Sequence, residues 1–298
     1  MKSLYQKNPQ TILKMSVVPK NSNNEIEYRW NNEFLIEKGH HIQLTKLNEY
    51  ECLSCKKIIP KYFGGYCYVC NLKKASADFC MLDPSLCHYS KGTCREPQWA
   101  DNFCFSPHYV YLAFTDKFKV GITRKNQIPT RWCDQGATMA AILCQVNSRY
   151  LSGLLEKKLT KILADKSHWI NMLKMGNCRP TQKDFSEKFY EVQNYLNEIQ
   201  KEFQFDKVFF PEHLKNLNQN LPFQQYLEPE IYELNYQMPN EMNKIKSKNL
   251  SKHDVIEGEI IGMKGQYLFI DDFVTNIRSH EGYRVSVNFW RQKIDPVL

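Results

Sequence analysis

Between Arg149 and Ala164 the apolar residues Leu151, Leu154, Leu155, Leu159, Ile162 and Leu163 recur at helical spacing, as do Phe185, Phe189, Val192, Leu196, Ile199 and Phe203 between Asp184 and Phe203. Each stretch predicts an amphipathic helix with one packing face. Other segments carry the rhythm of strands. Tyr109 to Phe114 and Lys119 to Thr123 are rich in β-branched and aromatic residues and flank the turn-like Thr115-Asp116-Lys117, which predicts a hairpin. Pro129 suits the first turn of a helix through Thr130, Arg131, Trp132 and Gln135 that Gly136 ends. Ala140 to Val146 is an unbroken apolar run of strand length, expected to join the hairpin as a third strand buried on both faces.

Short strand-like runs mark both ends of the chain. Glu25 to Trp30, Phe34 to Ile36 and His40 to Leu47 precede the cysteines; Val255 to Ile261, Gly265 to Ile270, Val274 to Ile277 and Arg284 to Phe289 close the sequence, with Gly or Asp-Asp turns between them. An Asn-, Gln- and Pro-rich connection covers 204–250. The expected fold class is α+β: a central hairpin/helix/strand/helix unit, preceded by a cysteine-rich metal-binding module, with a β-rich domain formed by both termini. In residue terms this gives a β-rich segment 1–50 that pairs with C-terminal strands, a cysteine module 51–104, an α/β domain 105–180, a helix 181–203, and a connection with a β-rich segment over 204–298.

Cysteine changes the picture most. The chain of 298 residues has eleven, eight of them between Cys52 and Cys104. Cys52 and Cys55, then Cys67 and Cys70 eleven residues on, form two C-x2-C pairs in the spacing of a four-thiolate zinc ribbon. Cys80, Cys87, Cys94 and Cys104 follow at wider gaps and amount to one further tetrahedral site, for zinc or, on ligand identity alone, an iron–sulfur cluster. Thiol use of this kind, the lack of an apolar signal segment at the start and the lack of a run near the roughly 20 apolar residues of a membrane span lead to the expectation of a cytoplasmic protein without a membrane partner. Adjacent His40 and His41 point to opposite faces of a strand, so at most one could serve a given site.

Charge then singles out the middle of the chain. Formal net charge is +8, and 105–180 alone supplies that excess, with twelve Lys and Arg against four acids. A basic segment between near-neutral flanks is the distribution of a polyanion binder, with DNA or RNA the expected partner. Lys119, Arg124, Lys125 and Arg131 are the cations at the joins of the hairpin and its helix. Glu156 lies beside the apolar stripe of its helix with small neighbours Ser152, Gly153 and Thr160, which leave a metal or ligand room at its carboxylate.

The segments GYCYVC, LCHYSKGTCREPQWA, HYVYLAFTDKFKVGITRKNQIPTRWCDQGA, GMKGQYLFIDD and NIRSHEGY resemble the uncharacterised family known as domain of unknown function 2797, over nearly the whole chain. Residues 109–171 also resemble the GIY-YIG nuclease fold, in which a hairpin bears two tripeptides, an arginine follows on the first helix and a glutamate on a later helix binds the catalytic divalent metal. This resemblance implies that Tyr109-Val110-Tyr111 and Lys119-Val120-Gly121 stand at the tripeptides, Arg131 at the helical arginine, Glu156 at the metal carboxylate and Asn171 at a downstream asparagine. By the same resemblance, Glu156 holds Mg²⁺ or Mn²⁺, Arg131 neutralises charge on the scissile phosphate and Tyr111 orients the attacking water. Lys119 stands where many active nucleases have a tyrosine; nearby cations lower the pKa of such a lysine and suit it to act as a base.

Two functional classes remain open on the sequence: a divalent-metal-dependent phosphodiesterase with structural zinc, in which Tyr111, Lys119, Arg131, Glu156 and Asn171 form the catalytic set, and a non-catalytic zinc-containing nucleic-acid-binding protein. A third reading gives Cys80, Cys87, Cys94 and Cys104 a redox cluster.

Overall fold

The structure is a computed structural model that describes residues 3–10, 15–19, 26–30, 34–61, 63–164, 168–215, 222–240 and 244–291. Glu25, where the first strand is expected to begin, and Asp165 and Lys166 of the basic segment lie outside the described residues. The described chain is a mixed α+β protein with several sheets, and it divides into two compact units, Met1–Asn71 with Cys133–Gly136 and Asn235–Leu298, and Leu72–Trp132 with Ala137–Leu234.

In the first unit an eight-stranded sheet draws on both ends of the chain. His40–Glu51 lies between Tyr283–Arg291 and Val255–Lys264, pairing antiparallel with each. The order runs from Ser3–Gln10 through Tyr283–Arg291, His40–Glu51, Val255–Lys264, Tyr267–Ile270 and Phe273–Asn276 to Lys246–Ser247, and Ile58–Ile59 pairs with the end of His40–Glu51. Alternation explains the strands: Val285, Val287 and Phe289 are buried while Arg284, Ser286 and Asn288 between them are half-buried. Gly265, at φ +57°, takes the left-handed turn position between Lys264 and Tyr267 that other residues occupy only with strain. A separate sheet pairs Met15–Pro19, Ile26–Trp30 and Phe34–Ile36.

The second unit holds a five-stranded sheet. His108–Phe114 sits between Phe118–Arg124 and Met139–Val146, and Met139–Val146 also pairs with Phe223–Gln225 and Tyr232–Glu233. One face of this sheet carries Val110, Leu112, Val120, Ala141 and Leu143, which pack with Leu151, Leu155 and Leu159 of the helix Arg149–Leu159 and Phe185, Phe189 and Leu196 of the helix Gln182–Glu202. Both helices start on side-chain caps. Ser148 Oγ accepts from Leu151 N at 3.3 Å, and Thr181 and Asp184 form a reciprocal capping box.

One expected helix is shorter than its apolar stripe. The spacing carries the helix on to Ala164, but it ends at Leu159, with Thr160 as its C-cap. The chain then runs beside the hairpin's edge strand, where Val120 N donates to Ala164 O at 2.9 Å and Lys119 bridges Ala164. An unpaired strand edge satisfied by neighbouring backbone competes with one further helical turn, and Ile162 and Leu163 still reach the same core.

Candidate functional site

The first cysteine group is built by two knuckles. Lys56 N donates to Cys52 O at 2.9 Å, closing the turn that carries Cys52 and Cys55, and Lys56 sits at φ +64° to make it. Cys67 precedes the helix Tyr68–Lys73, which holds Cys70. Leu53 N donates to Gly65 O at 2.8 Å and joins the knuckles. The ligand atoms of Cys52, Cys55, Cys67 and Cys70 all lie within 4.8 Å of one another, so four cysteines are close enough together to bind a metal such as zinc.

Geometry and electrostatics both fit that ion. Cys55 Sγ and Cys67 Sγ are 3.8 Å apart; a tetrahedron with metal–sulfur bonds of about 2.3 Å has edges of about 3.8 Å, whereas a disulfide needs about 2.05 Å. Backbone N–H of Cys67 points at Cys52 Sγ (3.3 Å) and that of Cys70 at Cys67 Sγ (3.4 Å). Burial raises the Cys52 thiol, but the N–H groups of Cys55, Cys67 and Ser54 outweigh it and bring it down to about 6. Cys70, buried and facing Cys67, is pushed up to about 12. Without a cation the group can release some of its four thiol protons but resists losing all of them; a divalent metal removes that resistance.

The hairpin in the second unit presents the other expected site. Residues opposite each other across an antiparallel pair share a face. Tyr111 is opposite Gly121, Ala113 opposite Lys119 and Tyr109 opposite Thr123, so all six share the face away from the Val110 and Leu112 core. Tyr111 is fully buried against Trp132 in an edge-on contact of 5.9 Å. Gly121 makes that possible, because a Cβ there would stand 2.5 Å from Cζ and Oη of Tyr111.

Lys119 is only 5% exposed. Burial first, and then the charge of Arg131, lower its ammonium to about 8, against the opposing pull of Asp116 and Glu156. Among the described residues no carboxylate oxygen lies within 4.0 Å of its Nζ, so its charge is only partly compensated. Arg131 stands half-buried on the helix Thr130–Asp134 and Glu156 half-buried on the helix Arg149–Leu159. Asp116 Oδ2 accepts from His168 N at 3.4 Å, which brings the start of the helix Trp169–Lys174 beside the hairpin turn. Asn171 on that helix is exposed.

The remaining expected cations separate. Lys125 is exposed, with Nζ 5.9 Å from the centre of the Tyr109 ring. Arg124, five positions from Lys119 on the same strand, points from the opposite face, where its guanidinium lies 4.2 Å from the centre of the Phe103 ring. Lys119 is therefore within electrostatic reach of Arg131 and Glu156, whereas Arg124 is within that of Cys104.

Around the second cysteine group the close-set ligand atoms are those of Asp78, Cys80 and His88, within 4.8 Å of one another, and none of Cys87, Cys94 and Cys104 belongs to that set. Asp78 is held by Arg95 Nε at 2.8 Å and faces His88 Nε2 at 3.4 Å. Asp78 and Asp116 are residues that the spacing of cysteines and cations does not single out. Asp78 has a local signal in its position as a cap two residues before Cys80, and Asp116 in its place in the hairpin turn.

No helix among the described residues is long and apolar enough to cross a membrane. The model of one family, described as a protein of unknown function (DUF2797), matches residues 39–285. No curated protein and no solved structure matches the chain.

Proposed function

We propose a reading that starts from the family: the chain belongs to DUF2797, whose description carries no activity, and its second unit acts on DNA or RNA as a divalent-metal-dependent phosphodiesterase. The observation that carries this reading is Lys119, a buried amine at about 8, between the cation of Arg131 and the carboxylates of Asp116 and Glu156. A lysine that stays buried and is only partly compensated costs stability, and such groups cluster where a proton or an anion is handled.

Support for a GIY-YIG-like unit comes from the order of parts: the hairpin, the helix bearing Arg131, a third strand beside the first and Glu156 on the helix that follows. In this reading neutral Lys119 takes a proton from the attacking water, aligned with the Tyr111 hydroxyl. Arg131 stabilises the charge that develops on the phosphoryl oxygens. Glu156, a half-buried carboxylate with Ser152 and Gly153 beside it, suits Mg²⁺ or Mn²⁺, which keep water and phosphate ligands beside one or two carboxylates. That ion supplies Lewis-acid stabilisation of the phosphoryl group. Asn171 lies at the margin of this set, and Lys125 with Tyr109 offers the adjoining strand of nucleic acid a cation and a ring.

We assign zinc to Cys52, Cys55, Cys67 and Cys70 on the four-thiol donor set and the 3.8 Å edge, and a reducing compartment such as the cytoplasm to a chain whose eleven cysteines are all free thiols. The test is cleavage of labelled single- and double-stranded DNA and RNA with Mg²⁺ or Mn²⁺. Wild-type cleavage that Glu156→Gln and Lys119→Met each reduce at least a hundredfold is expected; full cleavage by Glu156→Gln refutes the assignment. A second reading, binding without cleavage, is favoured by the complete burial of Tyr111. Salt-dependent binding by a chain that cleaves none of these substrates would select it, because phosphate contacts release counterions.

A further inference from the structure

Leu72–Cys104 holds its shape with almost no apolar core. Over this stretch Ala75, Pro84 and Ala100 are the buried residues, all small, while Phe79, Leu82 and Leu86 are 76%, 85% and 56% exposed. Its backbone is a series of three-residue turns, Ala75–Ala77, Phe79–Met81, Pro84–Leu86 and Tyr89–Lys91, followed by the helix Pro97–Phe103. Partly exposed ion pairs such as Lys74 with Glu96 contribute little to such a segment. Small elements without a core are ordinarily held by a cross-link, of which a metal is the form compatible with free thiols.

Hydrogen bonds and ion pairs draw the turns bearing Cys80, Cys87 and Cys94 together: Asp78 accepts from Cys80 N at 3.0 Å and pairs with His88 and Arg95, and His88 Nδ1 meets Thr93 Oγ1 at 2.8 Å. Arg149 ties Cys104 to the turn of Cys80: its guanidinium donates to Cys80 O at 3.0 Å and Met81 O at 2.7 Å, and its backbone N donates to Cys104 O at 2.7 Å. Arg149 interacts electrostatically with Cys104, Cys80 and Cys87, and Arg124 with Cys104. Among the described residues neither guanidinium has a carboxylate oxygen within 4.0 Å. Two partly buried cations with no carboxylate in direct contact, Glu156 acting on Arg149 only from beyond 4.0 Å, match what four thiolates around a divalent ion present, an excess of two negative charges. Asp78, Cys80 and His88 form the rival ligand set, but Asp78 already answers Arg95, His88 and the N–H of Cys80, so its position is explained by capping and ion pairing.

The same segment seats a helix. Gly153 packs so closely on Pro84 that a Cβ would stand 2.6 Å from Pro84 Cβ, and Arg149, Gly153 and Glu156 belong to the helix Arg149–Leu159. We infer that Cys80, Cys87, Cys94 and Cys104 hold a second zinc ion, neutralised by Arg149 and Arg124, which fixes the Leu72–Cys104 segment and anchors the helix carrying Glu156. The four sulfurs are not all within 4.8 Å of one another, so binding draws them inward. Only the relevance of Glu156 rests on the phosphodiesterase reading; the zinc centre is tested by metal content and stands or falls apart from cleavage.

The experiment is elemental analysis of the full chain purified without air from zinc-supplemented cells. Two zinc ions per chain are expected, falling to one in Cys94→Ser, to one in Cys55→Ser and to none in the double variant, while Asp78→Asn and His88→Ala keep two. Arg149→Met is expected to release one of its two zinc ions at least tenfold faster to a chromogenic chelator. On the wild-type chain, which avoids any folding defect of the variants, chelation is expected to speed amide exchange across Arg149–Leu159. One zinc per chain that Cys94→Ser leaves unchanged overturns the inference. So does loss of zinc in Asp78→Asn or His88→Ala with retention in Cys94→Ser, iron with acid-labile sulfide, or exchange in Arg149–Leu159 that ignores chelation.

Discussion

Tyr111 and Gly121 face each other across the hairpin so closely that the ring of one occupies the place where the other's Cβ would be, 2.5 Å from Cζ and Oη. Tyr111 is also fully buried, so an added methyl cannot be relieved by turning the ring into solvent. Gly121→Ala is expected to cost about 1–3 kcal/mol of stability, the usual range for overpacking a filled core. Denaturant unfolding of Gly121→Ala, Tyr111→Leu and the double variant checks this. The double variant should lose less than the sum of the single ones, and strict additivity would show that the two side chains do not compete for one space.

How much of this was legible in the sequence depends on the range of the interaction. The hairpin of His108–Phe114 and Phe118–Arg124 follows from local composition and a turn, and the helix Gln182–Glu202 from the spacing of Phe185, Phe189, Val192, Leu196 and Ile199. The four close-set cysteines follow from the C-x2-C pairs, because a tight turn brings its two ends together wherever it occurs. The end of the helix at Leu159 was not legible, since the strand edge that takes up Ala164 lies some forty residues away in sequence. Nor was the separation of Arg124 from Lys119: alternation gives opposite faces, but a count of cations over 105–180 carries no sidedness. Asp78 and Asp116 took their places through a cap and a turn, features shared with many aspartates that have no further role.

Metal at Cys52, Cys55, Cys67 and Cys70 should be part of the folding free energy, because the two knuckles are otherwise joined by single hydrogen bonds such as Leu53 N to Gly65 O. Cys55→Ser, or a strong chelator added to the wild type, is expected to lower the melting temperature by roughly 5 °C or more and to increase proteolysis between residues 52 and 70. Differential scanning fluorimetry with limited proteolysis reads both. Unchanged melting with proven loss of zinc would count against a structural role for the ion.

His280 is buried, and its Nε2 accepts the N–H of Leu250 at 2.9 Å. Burial, opposed by a backbone hydrogen bond to Asn276, lowers it to about 4. The unfolded chain, with histidine near 6.5, then binds more protons than the folded chain in the window from about 6.5 down to about 4. The contribution is fully present above about 6.5 and is lost as pH falls through that window, by up to about 3 kcal/mol. Stability measured by denaturant at pH 7, 6, 5 and 4 should fall less steeply in His280→Gln, whose amide oxygen can still accept from Leu250 N. Equal slopes in the two proteins would show that His280 does not carry this pH dependence.

Lys119 has the same sign in a higher window. Its folded value of about 8 lies below the ordinary 10.5, so the favourable contribution of a neutral buried amine is present above about 10.5 and is lost as pH falls through 8. At pH 7 the chain therefore carries a buried cation that Arg131 disfavours and that Asp116 and Glu156 only partly balance. Lys119→Met fills similar space without the charge and is expected to raise stability at pH 7 by about 1–3 kcal/mol, with the gain shrinking as pH climbs through 8 to 10. If Lys119 is the base, wild-type cleavage should also climb with pH to a plateau above about 8, and Lys119→Met should be more stable and inactive at every pH. A structural lysine predicts the opposite pattern, in which removing it costs stability and leaves nucleic-acid turnover or binding with its original pH profile; paired unfolding and pH–rate measurements on one preparation separate the two.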